Sequence, residues 1–226
     1  MKHFWFLVFI AQVSFAQTTF EKGLKYLEQK KYAYAKSTFE WLIKENPKNI
    51  DAIDKLGEAC FLMQEWDVAV KCGKKLVTAD PQNAEYWFKY GGALGMKAKS
   101  VNKLKALGMI GDIREAFETS ARLDSKHINV RWALVLFYME LPAIVGGSET
   151  KAQKYANELM QLSKVDGCLA KGYIDVYNGE YEKAEFYYKK AYEIGHSKTT
   201  YEKLYELYLN KMKNKEKAQK LKNDFY

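Results

Sequence analysis

Three prolines in 226 residues leave long stretches in which nothing forbids a helix, and runs of β-branched residues are equally scarce. Lys, Glu, Leu and Ala are abundant, and all cost little in a helix, so sheet-rich classes are excluded and an all-α fold is expected. Three cysteines cannot all pair internally, which excludes a full disulfide framework. Cys60 and Cys72 fall on two successive predicted helices and could bridge, and the alternative is a pair of small buried thiols. Histidine is as rare: beyond the first residues there are only His127 and His196, each at a predicted helix end with no serine or cysteine partner at a recognisable spacing. Metal-ligand spacing of His, Cys or carboxylates is missing too. No catalytic residue, no metal and no cofactor are therefore expected, and the chain does not read as an enzyme.

Long apolar runs are confined to the start. Lys2 and His3 precede the apolar run Phe4 to Val13, and Ser14-Phe15-Ala16 places small residues where a signal peptidase reads. Residues 1–16 are thus expected to be a secretory signal cleaved before Gln17. The rival, an uncleaved anchor, is disfavoured because a span needs roughly 20 apolar residues. No later stretch is long and apolar enough to cross a membrane, so the mature chain is expected to be soluble. Export points to a Gram-negative periplasm, with full secretion left open.

What is plentiful is lysine, and the formal charge is +8. Lys203, Lys211, Lys213, Lys215, Lys217, Lys220 and Lys222 concentrate it at the C-terminal end. Such a balance suits nucleic acid, but export argues against that partner and a lysine-rich terminal helix is ordinarily a solvated face. An acidic envelope surface, glycan or lipid, is the partner that this end would suit.

The internal order emerges at a period of 34. Gly23, Tyr26, Tyr32, Ala35 and Pro47 are followed, each 34 residues on, by Gly57, Cys60, Trp66, Ala69 and Pro81. A third copy starts at Trp87, Tyr90, Gly91 and Leu94 but closes at Leu123-Asp124-Ser125, and Ser125 lies 44 residues after Pro81, ten more than one period. The extra residues fall between Lys97 and Gly111. The spacing predicts a second helix lengthened at its start, from about Val101 to Leu123, with Ser100 as cap and with Gly108 and Gly111 weakening its middle; a short separate helix kinked there is the alternative. A fourth copy has a strongly apolar first helix ending at Leu141-Pro142, a loop Ala143 to Gly147, and Ser148 as cap of the next helix. Gly172, Tyr181, Ala184, Tyr188 and Ala191 restore the register in a fifth.

The combination W-x2-L-G-x2-Y, then A-x3-F, then P, at this period resembles the tetratricopeptide repeat. The resemblance implies a right-handed α-solenoid of helix-turn-helix units. It divides residues 17–226 into repeats at about 18–49, 50–83, 84–127 with the insertion, an irregular 128–164, 165–198 and a capping 199–226. It also implies a binding scaffold whose first helices line a concave groove, with a protein or peptide as partner. Groove candidates on the non-packing side of those helices are Asp54, Glu58, Phe61, Phe88, Lys89, Trp132, Leu136, Tyr173 and Tyr177. Packing of Trp132, Leu136 and Tyr173 against neighbouring helices is the other reading. The paired lysines and asparagines with which one branch of this family grips a chaperone's terminal carboxylate do not occur at the matching places. The middle section also looks loosely like regulator of microtubule dynamics proteins, without a diagnostic motif and without a function to carry over. Gly91-Gly92-x-x-Gly95 lies within a predicted helix, where close helix packing explains it better than phosphate binding, and Gly146-Gly147-Ser148 lacks the rest of a phosphate loop.

Overall fold

The repeats after the first are started by one device used again and again, a side chain that accepts a backbone N–H of the first helical turn. Asn49 Oδ1 accepts the backbone N–H of Ala52 at 3.0 Å, and Asn83 Oδ1, 34 residues on, accepts that of Tyr86 at 3.2 Å. Two residues after a proline, the asparagine satisfies a donor that the first helical turn leaves without a partner. In the turns just before them, Asn46 and Asp80 accept the N–H groups of Lys48 and Gln82, both at 3.1 Å. His127 stands at the corresponding place of the next unit, and its Nδ1 accepts the N–H of Val130 at 3.3 Å. His127, which has no catalytic partner at a recognisable spacing, is thus a helix cap.

The structure, a computed structural model, describes residues 17–225; the expected signal sequence lies outside the described residues. The chain divides into two compact units that meet in sequence at Leu123 and Asp124. The first contains α1 (17–28), α2 (Tyr32–Glu45), α3 (Ile50–Leu62), α4 (Trp66–Ala79), α5 (Ala84–Ser100) and α6 (Lys103–Leu123). The second contains α7 (Ile128–Glu140), a 3-10 turn (Ala143–Val145), α8 (Glu149–Leu162), α9 (Lys164–Tyr177), α10 (Tyr181–Gly195) and α11 (Lys198–Glu206). It ends with a π-helical turn (Leu207–Lys211) and α12 (Lys215–Phe225). No strand occurs among the described residues. Within each unit the helices pack consecutively, from α2 on α3 through α5 on α6, and from α7 on α8 through α10 on α11. Each unit is thus all-α, with the consecutive packing of helices that the resemblance implies.

In the first unit, Phe39, Leu42, Ile53, Cys60 and Leu76 form a core against which Phe20, Leu24 and Leu27 of α1 pack. Three of the repeat glycines are small because the facing helix brings a large side chain. A Cβ on Gly23 would sit 2.6 Å from the Phe39 ring, one on Gly91 2.8 Å from Phe117, and one on Gly172 2.3 Å from Tyr188. Close packing does not extend to Gly92 and Gly95, where an added Cβ would meet nothing within 4 Å. The sequence expectation for these two is corrected: they lie on an open side of α5.

The insertion also resolves. Both helices of the third repeat are longer than those of the second, α5 having 17 residues against 13 for α3, and α6 having 21 against 14 for α4. With two residues in the turn in place of three, the net gain is the ten counted in the sequence. The expected lengthening of the second helix is therefore shared with the first. Ser100 is not the cap, since its hydroxyl donates to the Lys97 carbonyl at 2.8 Å, and Asn102 Oδ1 accepts the N–H of Lys105 at 3.0 Å in its place. α6 continues as one helix through Gly108 and Gly111.

In the second unit, α7 buries Val130, Leu134, Val135, Tyr138 and Met139, which occupy more than one of its sides, as its unbroken apolar sequence predicts. The chain then turns on Gly146, with φ 102°, and on Gly147, where a Cβ would fall 1.8 Å from the Leu141 carbonyl oxygen. Ser148 caps α8 as expected, accepting the N–H of Lys151 at 3.3 Å. The terminal helix is tied back by Lys217, whose Nζ lies 2.7 and 2.8 Å from the Glu185 carboxylate oxygens, while the Tyr208 hydroxyl donates to the same residue at 3.0 Å. Burial works against the Glu185 carboxylate, but the bonds from Lys217 and Tyr208 outweigh it and hold its pKa below the ordinary value.

Candidate functional site

The nine groove candidates all lie on first helices, five in the first unit and four in the second. On α3 and α5, Lys89 Nζ reaches Asp54 Oδ1 at 2.6 Å, an ion pair between the first helices of successive repeats. Glu58 pairs along its own helix with Lys55 at 2.8 Å. Phe61 leans on Trp66 with ring centroids 5.2 Å apart and remains 37 % exposed at the end of α3. Phe88 is half-buried and approaches Phe117 at 6.2 Å. Asp54 and Lys89 therefore neutralise each other, Glu58 is paired with Lys55, and the ring of Phe61 is the most exposed apolar candidate in this unit.

On α7 and α9 the bridge is of another kind. The Trp132 indole N–H donates to Asp166 Oδ1 at 2.8 Å, again from one first helix to the next. Trp132 also packs at the edge of the second core, so its ring is largely committed to structure. Leu136 is half-buried. Tyr173 and Tyr177, one turn apart, have ring centroids 6.4 Å from each other. Burial raises the pKa of Tyr173, whereas Tyr177 is 55 % exposed. Of the four, Tyr177 offers the most surface to a partner.

Three residues that carry weight here had escaped notice in the sequence. Asp166 lies one period, 34 residues, after its partner Trp132, a regularity from which the pair could have been found. Arg131 is 4 % exposed, binds Glu158 at 2.9 Å and donates to the carbonyls of Asp124 and His127 at 3.2 and 3.0 Å. Asp175, 7 % exposed on α9, has a buried Oδ2 without a hydrogen-bond partner, and its pKa is raised by burial and then by the neighbouring Glu180. No sequence signal distinguishes that aspartate.

All three cysteines are free and buried, so Cys60 and Cys72 are not bridged. Burial pushes the Cys60 thiol up to about 12 and that of Cys72 to about 11, far from a reactive thiolate. Among the described residues no group of three or more His, Cys, Asp or Glu is arranged to hold a metal ion. No helix among them is long and apolar enough to cross a membrane.

No known family profile matches the sequence, and no curated protein does. The shape, by contrast, is widely shared. A thermophilic tetratricopeptide-repeat protein of Thermus thermophilus superposes with a TM-score of 0.68 at 18% identity, covering 86% of this chain and 99% of its own. A tetratricopeptide repeat protein from Parabacteroides merdae gives 0.68 at 13% identity over 92% of this chain and 78% of its own. YrrB, described as a tetratricopeptide-repeat protein with an unusual peptide-binding site, gives 0.56 at 12% identity over 80% of this chain and 87% of its own. The chain has the tetratricopeptide-repeat fold.

Proposed function

We propose that the chain is an exported, non-catalytic scaffold that holds a segment of a protein or peptide partner against the first helices of its repeats. The observation that carries this reading is the ring surface left open at Phe61 on a first helix of the first unit, and separately at Tyr177 on a first helix of the second. Exposed aromatic rings on a structured surface are the side chains that most often anchor a partner. In the first unit the charged residues of the same helices, Asp54, Glu58 and Lys89, would set which partner is accepted. A peptide-binding site in YrrB, which shares the fold at low identity, is consistent with it. Against catalysis stands the structural use of the histidine at the head of α7, whose Nδ1 is occupied as a cap.

The apolar start of the sequence supports export, with the periplasm as destination. A second reading, attachment to acidic glycan or lipid through the C-terminal lysines, draws on the charge of that end, although Lys217 is engaged by Glu185. The two separate in one experiment: capture of partners from the source organism's envelope fraction with residues 17–226 as bait. The scaffold reading expects capture to fall about tenfold in Phe61→Ala and Tyr177→Ala and to persist at moderate salt. Capture that ignores both substitutions and collapses with salt sinks it. Export is checked by the N-terminal residue of the protein recovered from cells, expected to be Gln17.

A further inference from the structure

The added ten residues of the third repeat extend one end of its helix pair. α5 begins in register with α3, its cap Asn83 lying 34 residues after Asn49, so its four extra residues are at its C-terminal end. α6 closes at Leu123-Asp124 as α4 closes at Ala79-Asp80, so its seven extra residues are at its start. Both extensions meet at the same turn, which projects beyond the neighbouring hairpin by about 6 to 10 Å at 1.5 Å per residue.

The composition of that projection is one-sided. From Gly91 to Gly111 there is no Asp or Glu, and there are four lysines, Lys97, Lys99, Lys103 and Lys105. Lys97 is tied to Asp67 of α4 at 2.7 Å, while Lys103 and Lys105 are exposed. Near these charges stand exposed apolar side chains: Leu104 is 81 % exposed, Leu107 48 % and Met96 37 %. Leu104, Leu107, Gly108 and Gly111 follow the i, i+3, i+4, i+7 spacing of one helix face. Isolated exposed leucines need no explanation, but these are gathered on an added segment that the core of the repeat does not require.

We infer that this α5–α6 tip is a wedge that seats in the surface of an anionic phospholipid bilayer, its leucines among the acyl boundary and its lysines against the headgroups. Basic charge around an apolar face is the combination that binds such interfaces, and the usual depth of insertion, about 5 to 10 Å, matches the projection. A second copy of the chain is a poorer occupant, because a paired tip would set lysines against lysines with no carboxylate on the segment to relieve them.

The test is flotation of residues 17–226 with vesicles of phosphatidylcholine alone or mixed with phosphatidylglycerol, the apolar start being left out because it would itself partition. Binding is expected only with the mixed vesicles and is expected to weaken as salt rises. Lys103→Gln with Lys105→Gln should reduce it about 25-fold, at about fivefold per lysine. Leu104→Ser with Leu107→Ser should reduce it about tenfold at unchanged circular dichroism. Phe61→Ala and Tyr177→Ala should leave it intact, which keeps this test independent of the scaffold reading. Three results overturn the inference: equal binding to neutral vesicles or none to either; loss of binding on replacing Lys220 and Lys222 while the tip variants bind normally; or a dimer in solution that the leucine substitutions dissociate.

Discussion

Gly167 gives the sharpest test of the packing. α8 and α9 are joined by Ser163 alone, which ends one helix and caps the next by accepting the N–H of Asp166 at 3.2 Å. So short a corner brings the last turn of α8 onto the first turn of α9. A Cβ on Gly167 would lie 2.3 Å from Met160 Cα and 2.6 Å from Met160 N. Carbon atoms in contact need about 3.5 Å, a shortfall of roughly 1 Å, and both offended atoms are backbone that no rotamer change can move. Gly167→Ala must therefore part the two helices and loosen the contacts around Ala156 and Leu159, both 0 % exposed. Overpacking of this kind costs about 3 kcal/mol, and the better helix propensity of alanine returns about 1, so a net loss of roughly 2 kcal/mol is expected. Urea unfolding followed by far-ultraviolet circular dichroism reads it as a lower midpoint. Gly108→Ala is the matched control, since its Cβ would meet nothing within 4 Å, and it should gain about 0.5 to 1 kcal/mol from propensity alone. A midpoint for Gly167→Ala at or above that of the parent would refute the reasoning.

Other expectations follow from the same contacts. Arg131→Ala, which strands a partly exposed Glu158 and two carbonyls, should cost about 2 kcal/mol in urea unfolding, and Glu158→Gln should cost less than half as much. The raised pKa of Asp175 means that the folded chain holds its proton more tightly than the unfolded chain. This group's penalty is therefore complete above the folded pKa and is relieved as pH falls through that value toward the unfolded value of about 3.9. Asp175→Asn should raise stability at neutral pH and remove this component from a pH titration of the urea midpoint; an unchanged titration counts against the assignment. Iodoacetamide at neutral pH should leave Cys60, Cys72 and Cys168 unmodified in the native chain and label all three in urea, as counted by intact mass.

Much of the fold was legible because repetition makes a sequence its own reference. Gly23, Gly57 and Gly91 share a register, and a glycine there is dictated locally by the helix crossing, so the period alone located the hairpins. The ten-residue excess was countable for the same reason. Its partition between α5 and α6 was not, because Ser100 and Asn102 are both good caps, and only the structure shows Ser100 bonded back to Lys97 and Asn102 receiving the N–H of Lys105. The candidate site was less legible. Helical spacing placed Trp132 and Tyr177 on similar faces, but only packing shows Trp132 held by Asp166 while Tyr177 stands open.

By itself the sequence determined the all-α class, the unit length and the places where the unit is broken, since periodicity, capping and the scarcity of proline are properties of neighbouring residues. Tertiary structure decided which thiols are free, which of the groove aromatics remain available, and that the leucines of the insertion face outward. Those outcomes rest on what a distant helix brings to each side chain, and a pattern of spacing does not contain the distance between helices.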